Sequence, residues 1–146
     1  MKQRLFLIVL IVLLTGCDSS YTFEEISIDQ TNDHVQAFMR LVENENGNYL
    51  YLDGEKDIYV FLNGIYVKRG NDAAYFSDFN VSAQQGTLNM FINQEYDSDY
   101  LNPTLNYQVL YKIYTVEKYD EINLYVNGKP VAFDKIDING QCSVEY

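Results

Sequence analysis

Residues 122–133 read INLYVNGKPVAF. Ile122, Leu124 and Val126 share one face of an extended chain and Asn123 and Tyr125 the other, because strand side chains alternate with period two. Asn127-Gly128 follows. Asn-Gly between two such runs is a strong hairpin signal, since both central positions of a type I′ turn want φ > 0. The stretch predicts two antiparallel strands, one face apolar and the other polar.

The same grammar runs through the chain before it and through its own second half. YLYL (49–52), DIYVFL (57–62), IYVK (65–68), AAYFSDFNV (73–81), TLNMFIN (87–93), LNYQVLYKIYTV (105–116) and PVAF (130–133) are rich in Tyr, Val, Ile and Phe, the side chains that fit a pleated, half-buried surface. Asp53-Gly54, Asn63-Gly64, Gly70-Asn71-Asp72, Gln85-Gly86 and Asn102-Pro103 punctuate them. One segment has a different period. In TNDHVQAFMRLVENENG (31–47), Val35, Phe38, Met39 and Val42 fall at i, i+3, i+4 and i+7, a single helical stripe. Thr31, Asn32 or Asp33 is placed to cap its start and Gly47 to end it. A short strand, EISI (25–28), precedes the helix. The fold expected is α+β: one N-terminal amphipathic helix, then an antiparallel β-meander of seven or eight strands, as a sheet or a partly closed barrel. It forms a single domain over residues 23–146.

The N-terminus has another character. Lys2 and Arg4 precede an apolar block, Leu5–Leu14, too short for a hydrocarbon core that takes roughly 20 helical residues to cross. A basic start, a short apolar centre and small residues at its end form a secretory signal. Leu14-Thr15-Gly16-Cys17 resembles the lipobox of bacterial lipoproteins. The resemblance implies that residues 1–16 are removed and that Cys17 carries the lipid, a diacylglycerol thioether with palmitate-type chains that anchors the protein to the cell membrane on its extracytoplasmic side. Two acyl chains hold stably where one does not. Residues 17–22 form a short tether, so the domain starts within roughly 20 Å of the lipid. The mature part, from the helix through YLYLDGEKDIYVFLNG (49–64), resembles small, Tyr-rich lipoproteins of Bacillus-type bacteria, a likeness of layout that brings no activity with it.

The full chain carries a net charge of −11. Loss of Lys2 and Arg4 with the signal lowers it by two, to −13. Such acidity excludes nucleic acid as the natural partner, because binding there rests on Lys and Arg neutralising phosphates. It also opposes electrostatic docking on anionic lipid, so membrane attachment falls to Cys17. Cys142 then has no partner for an intrachain disulfide, and NGQCSVEY offers no neighbour that would lower its pKa.

Few residues present chemistry. The single histidine, His34, sits at the helix start, and nothing in the sequence brings it to Cys142 or a serine. Glu95, Asp97 and Asp99 alternate in NQEYDSDY and form the one candidate metal set, for calcium, which takes six to eight oxygens. The calcium-loop pattern of a glycine at the sixth position and a glutamate at the twelfth is absent, and a solvated loop accounts for the same residues. Otherwise no cofactor is expected. The fourteen tyrosines suit half-exposed sheet faces and binding surfaces alike. Tyr107 and Tyr111 share a strand face with Val109 and Ile113 and read as core, whereas Tyr114 shares the opposite face with Leu110 and Lys112. Tyr114 and Tyr125 are the candidate binding residues. The function expected is a non-catalytic module that binds a protein or peptide. The alternative is an extracytoplasmic folding enzyme of peptidyl-prolyl cis-trans isomerase type, whose barrier is rotation about a partly double bond and needs no nucleophile.

Overall fold

The computed structural model describes residues 21–99 and 102–142. The expected signal, Cys17 and residues 17–20 of the expected tether lie outside them. Tyr21 and Thr22, expected in the tether, already belong to the first strand. The described chain runs β1 (Tyr21–Ile26), a 3-10 turn (Ile28–Gln30), α1 (Asp33–Val42), β2 (Gly47–Asp53), β3 (Asp57–Asn63), β4 (Ala73–Gln84), β5 (Thr87–Asp97), β6 (Gln108–Thr115), β7 (Glu121–Val126), β8 (Lys129–Val131), β9 (Lys135–Ile138) and β10 (Gln141–Cys142).

The strands form two sheets rather than one meander: six in the order β1-β6-β3-β2-β9-β10 and four in the order β4-β5-β7-β8. Three turns match the sequence reading. Asp53-Gly54 joins β2 to β3, Gln85-Gly86 joins β4 to β5, and Asn127-Gly128 joins β7 to β8 with φ of 52° and 76°. Four pairings depart from it. β2 pairs with β9 and β5 with β7 in parallel, and β6 pairs antiparallel with β1 and with β3, neither of them its neighbour in the chain. A parallel pair needs a long crossover, which leaves no local mark in the sequence.

Asn63-Gly64 is the clearest correction. It is not a hairpin turn, and IYVK (65–68) is not a strand. Gly64 lies against β4 so closely that a Cβ there would sit 2.2 Å from the Ala74 carbonyl oxygen. Its N–H donates to Tyr107 O at 2.8 Å, while Phe76 N donates to the adjoining Asn106 O at 2.9 Å. The glycine is required for close approach between the sheets, not for a positive φ. Gly47 is likewise no helix cap. The helix ends at Val42, and Gly47 opens β2, where its Cβ position is filled by Tyr49 Oη and Asp134 Oδ2 at 2.7 and 2.8 Å.

The six-stranded sheet has a core on each face. Leu50, Val60, Leu62, Val109, Tyr111 and Ile113 point to the four-stranded sheet and meet Phe76, Leu88, Met90, Ile92 and Leu124. Their alternates, Tyr49, Tyr51, Tyr59, Phe61 and Leu110, point the other way and are covered by Val35, Phe38, Met39 and Val42 of α1. The predicted helical stripe is therefore the buried one. Its start is capped by Asn32, whose Oδ1 accepts from His34 N and Val35 N at 3.1 and 3.0 Å, which satisfies two of the helix's orphan donors. Burial of each large apolar side chain contributes roughly 1.5–3 kcal/mol, so the fold depends on both layers.

Candidate functional site

β4 and β5 build the first candidate surface. A bulge between Ser77 and Asn80, with Asp78 at φ 55°, lets both Phe76 and Val81 face inward despite their odd spacing. It also turns Phe79 onto Tyr111, with ring centroids 3.9 Å apart and planes 6° apart. Such bulges re-aim side chains. Past the bulge, the outward positions of the four-stranded sheet carry no charge over its centre. Ser82, Asn89, Asn93 and Asn123 surround Phe91 and Tyr125, with Asp78, Glu95 and Glu121 at the margin. Phe91 and Tyr125 stack across the parallel β5–β7 pair with centroids 5.0 Å apart and planes 18° apart. Phe91 remains 37 % exposed. Asn123 Nδ2 donates to Asn89 Oδ1 at 3.3 Å and to Glu121 Oε1 at 3.1 Å, so the amides are ordered.

The second is a cleft of about 260 Å³ at the end of the sandwich where β2 begins. Asn48, Asp72, Gln94 and Tyr96 present polar groups there, over a floor of Ala74 and Phe76. Asn63 beneath it is buried and fully engaged, donating to the Glu43 and Glu45 carbonyls at 2.9 and 2.8 Å and accepting from Gln108 at 3.1 Å.

Of the residues singled out in the sequence, Tyr125 lies in the uncharged face. Tyr114 does not: it is on the outer face of the other sheet, beyond the edge of α1. Its hydroxyl donates to Glu24 Oε1 at 2.7 Å, and Lys112 Nζ sits over its ring at 4.3 Å. Lys112 also pairs with Asp57 Oδ2 at 3.1 Å and lies 5.3 Å from the Tyr59 ring centre. Burial works against this ammonium, but hydrogen bonds to Tyr59 and Asp57 outweigh it and hold its pKa above the ordinary lysine value. These contacts hold the Tyr114 ring in place, and it remains 39 % exposed. Tyr107 and Tyr111 are core, as their strand face implies.

The three carboxylates do not converge. Glu95 accepts from the Tyr75 hydroxyl. Asp97 Oδ1 accepts from Asp99 N at 2.9 Å, and the Asp99 carbonyl accepts from Tyr107 Oη at 2.7 Å. Among the described residues no three His, Cys, Asp or Glu side chains gather as a metal group. His34 is an exposed residue of the first helical turn. Cys142 stands opposite Asp137 in the β9–β10 register.

Phe91, Asp72, Gln94 and Tyr96 were not singled out in the sequence. A signal for the first existed: residues 79–94, FNVSAQQGTLNMFINQ, hold no charged side chain in a chain that is 21 % charged. Asp72 and Tyr96 meet only through the β4–β5 pairing and carried no local mark. Compared with protein-family profiles, curated proteins and solved structures, the chain matches none of them.

Proposed function

We propose that this protein is a non-catalytic binding module, held by a lipid on Cys17 at the extracytoplasmic face of the cell membrane, that docks a protein or peptide partner on the outer face of its four-stranded sheet. The observation that carries this reading is the uncharged, aromatic-centred composition of that face in a chain of net charge −11. Interface cores are marked by depletion of charge and enrichment of Tyr and Phe. The Phe91–Tyr125 stack supplies a rigid apolar centre, and the surrounding amides, each both donor and acceptor, fit peptide groups of either polarity. A lipid on Cys17 and a short tether would keep the domain beside the membrane, which favours a membrane protein as partner.

The test is capture of partners by the full chain in its membrane, comparing wild type with Phe91→Asp and Tyr114→Ala. The reading expects one dominant partner, lost in Phe91→Asp and retained in Tyr114→Ala. Equal capture by Phe91→Asp overturns it.

A further inference from the structure

We propose that the cleft at the open end of the sandwich binds one neutral sugar ring of a glycan. This goes beyond the partner-binding reading and uses another surface, since Gln94 and Tyr96 lie on the opposite side of β5 from Phe91 and Asn93.

Three features of the cleft define its ligand. The first is size. At about 260 Å³ it falls just below the range of roughly 300–1,000 Å³ that holds drug-sized molecules, and it suits one ring rather than a folded peptide segment. The second is polar chemistry. Several amides nearby are already used: Asn63 as above, and Asn46 on both backbone groups of Tyr66. The backbone of Asn48 is pinned by Asp134, which accepts from Asn48 N at 2.7 Å and donates its own N–H to Asn48 O at 2.8 Å. These bonds fix the walls. Left to a ligand are the Asn48 amide, the Gln94 Oε1 and the Asp72 carboxylate. A carboxylate accepts from two hydroxyls, and an amide both donates and accepts. Neighbouring hydroxyls on a ring, each a donor and an acceptor, complement that set, and hydrogen bonds to a carboxylate are the stronger kind.

The third feature is the apolar part. Tyr96 is 64 % exposed, yet its hydroxyl is held by Gln94 Nε2 at 2.8 Å. An exposed ring fixed in place at the rim of a cleft floored by Ala74 and Phe76 offers two apolar contacts to the C–H face of a sugar. Asp72 is the single acid among the lining residues, and one carboxylate is matched by two ring hydroxyls without a cation.

The experiment is saturation-transfer NMR on the full chain in lipid nanodiscs, free of glycosidic detergent, with chitotetraose and cellotetraose as separate probes. The proposal expects saturable transfer to the ring protons of at least one probe. Affinity falls about tenfold or more in Asp72→Asn and in Tyr96→Ala, the scale of a lost charge-assisted contact. Phe91→Asp leaves it unchanged, so this result separates the cleft from the sheet face. Both cleft substitutions are at exposed positions, and matching melting curves establish that the variants fold. Transfer no greater than that from empty nanodiscs for both probes overturns the proposal, and so does binding that Asp72→Asn and Tyr96→Ala leave intact.

Discussion

Alanine at Gly64 tests how the two sheets are joined. The added Cβ sits 2.2 Å from Ala74 O, 2.7 Å from Ala74 Cβ and 2.9 Å from Ala74 C. An ordinary carbon–oxygen contact is about 3.3–3.6 Å, so the strands must part by about 1 Å. No flexible side chain is there to yield. Both backbones are held, by Gly64 N to Tyr107 O and by Phe76 N to Asn106 O. Overpacking of this kind costs roughly 1–3 kcal/mol where side chains can adjust; against backbone the cost belongs at or above the top of that range, about 3 kcal/mol. Gly128→Ala is the control. Gly128 has φ 76° and nothing within 4 Å of its Cβ position, so alanine there meets only the left-handed penalty of roughly 1–2 kcal/mol. Urea unfolding followed by far-UV circular dichroism reads both. The account expects Gly64→Ala to lose more, by at least about 1 kcal/mol, with a melting temperature lower by about 10 °C than wild type. Equal or smaller loss than in Gly128→Ala refutes the close approach, because a simple turn glycine costs no more than its twin.

Other outcomes follow from the same structure. Burial first, and then nearby acids (Asp134 and Glu45 for Tyr49, Glu25 and Asp78 for Tyr111), push both tyrosine hydroxyls up to about 12. With an unfolded value near 10, their stabilisation is complete below pH 10 and is lost as pH rises from 10 to 12, at most about 3 kcal/mol each; urea midpoints across that window, with tyrosinate absorbance, check it. Phe38→Ala removes a fully buried ring from the α1 layer that lies 5.3 Å from Tyr51 and costs about 3–5 kcal/mol, read by thermal melts. Lys112→Ala removes one partly exposed ion pair and two cation–π contacts, a loss of about 1–2 kcal/mol that becomes smaller in high salt, which screens the pair in wild type. Millimolar calcium leaves the melting temperature unchanged, because the Glu95 carboxylate accepts from Tyr75 and Asp97 turns back onto its own loop; a rise with calcium would show a site at these acids.

What was legible in the sequence was local. The Val35–Phe38–Met39–Val42 stripe, the Asn127-Gly128 hairpin and the inward face of Tyr107 and Tyr111 each follow from a period or a turn chemistry within a few residues. What was not legible depends on contacts distant in the chain. Asn-Gly at 63–64 has the composition of a turn, and only its packing on Ala74 reveals another use. The β2–β9 and β5–β7 pairs join segments separated by other strands, and nothing in either partner names its neighbour. Tyr114 lies on the half-exposed face that its strand period implies, but its contacts with Glu24 and Lys112 are named by no local pattern. The uncharged run at 79–94 was visible throughout, but its meaning depends on the bulge that decides which of its side chains face out.

The proposed binding face is tested most directly by a photo-crosslinking side chain placed at Asn93, beside Phe91, in the full chain in the cells that make it, with the same group at exposed Val116 as the control. The account predicts one dominant protein adduct from position 93 and only background from position 116. The same adducts from both positions, or a broad spread of newly secreted chains from position 93, would contradict a dedicated partner on this sheet and direct attention to the folding-factor alternative.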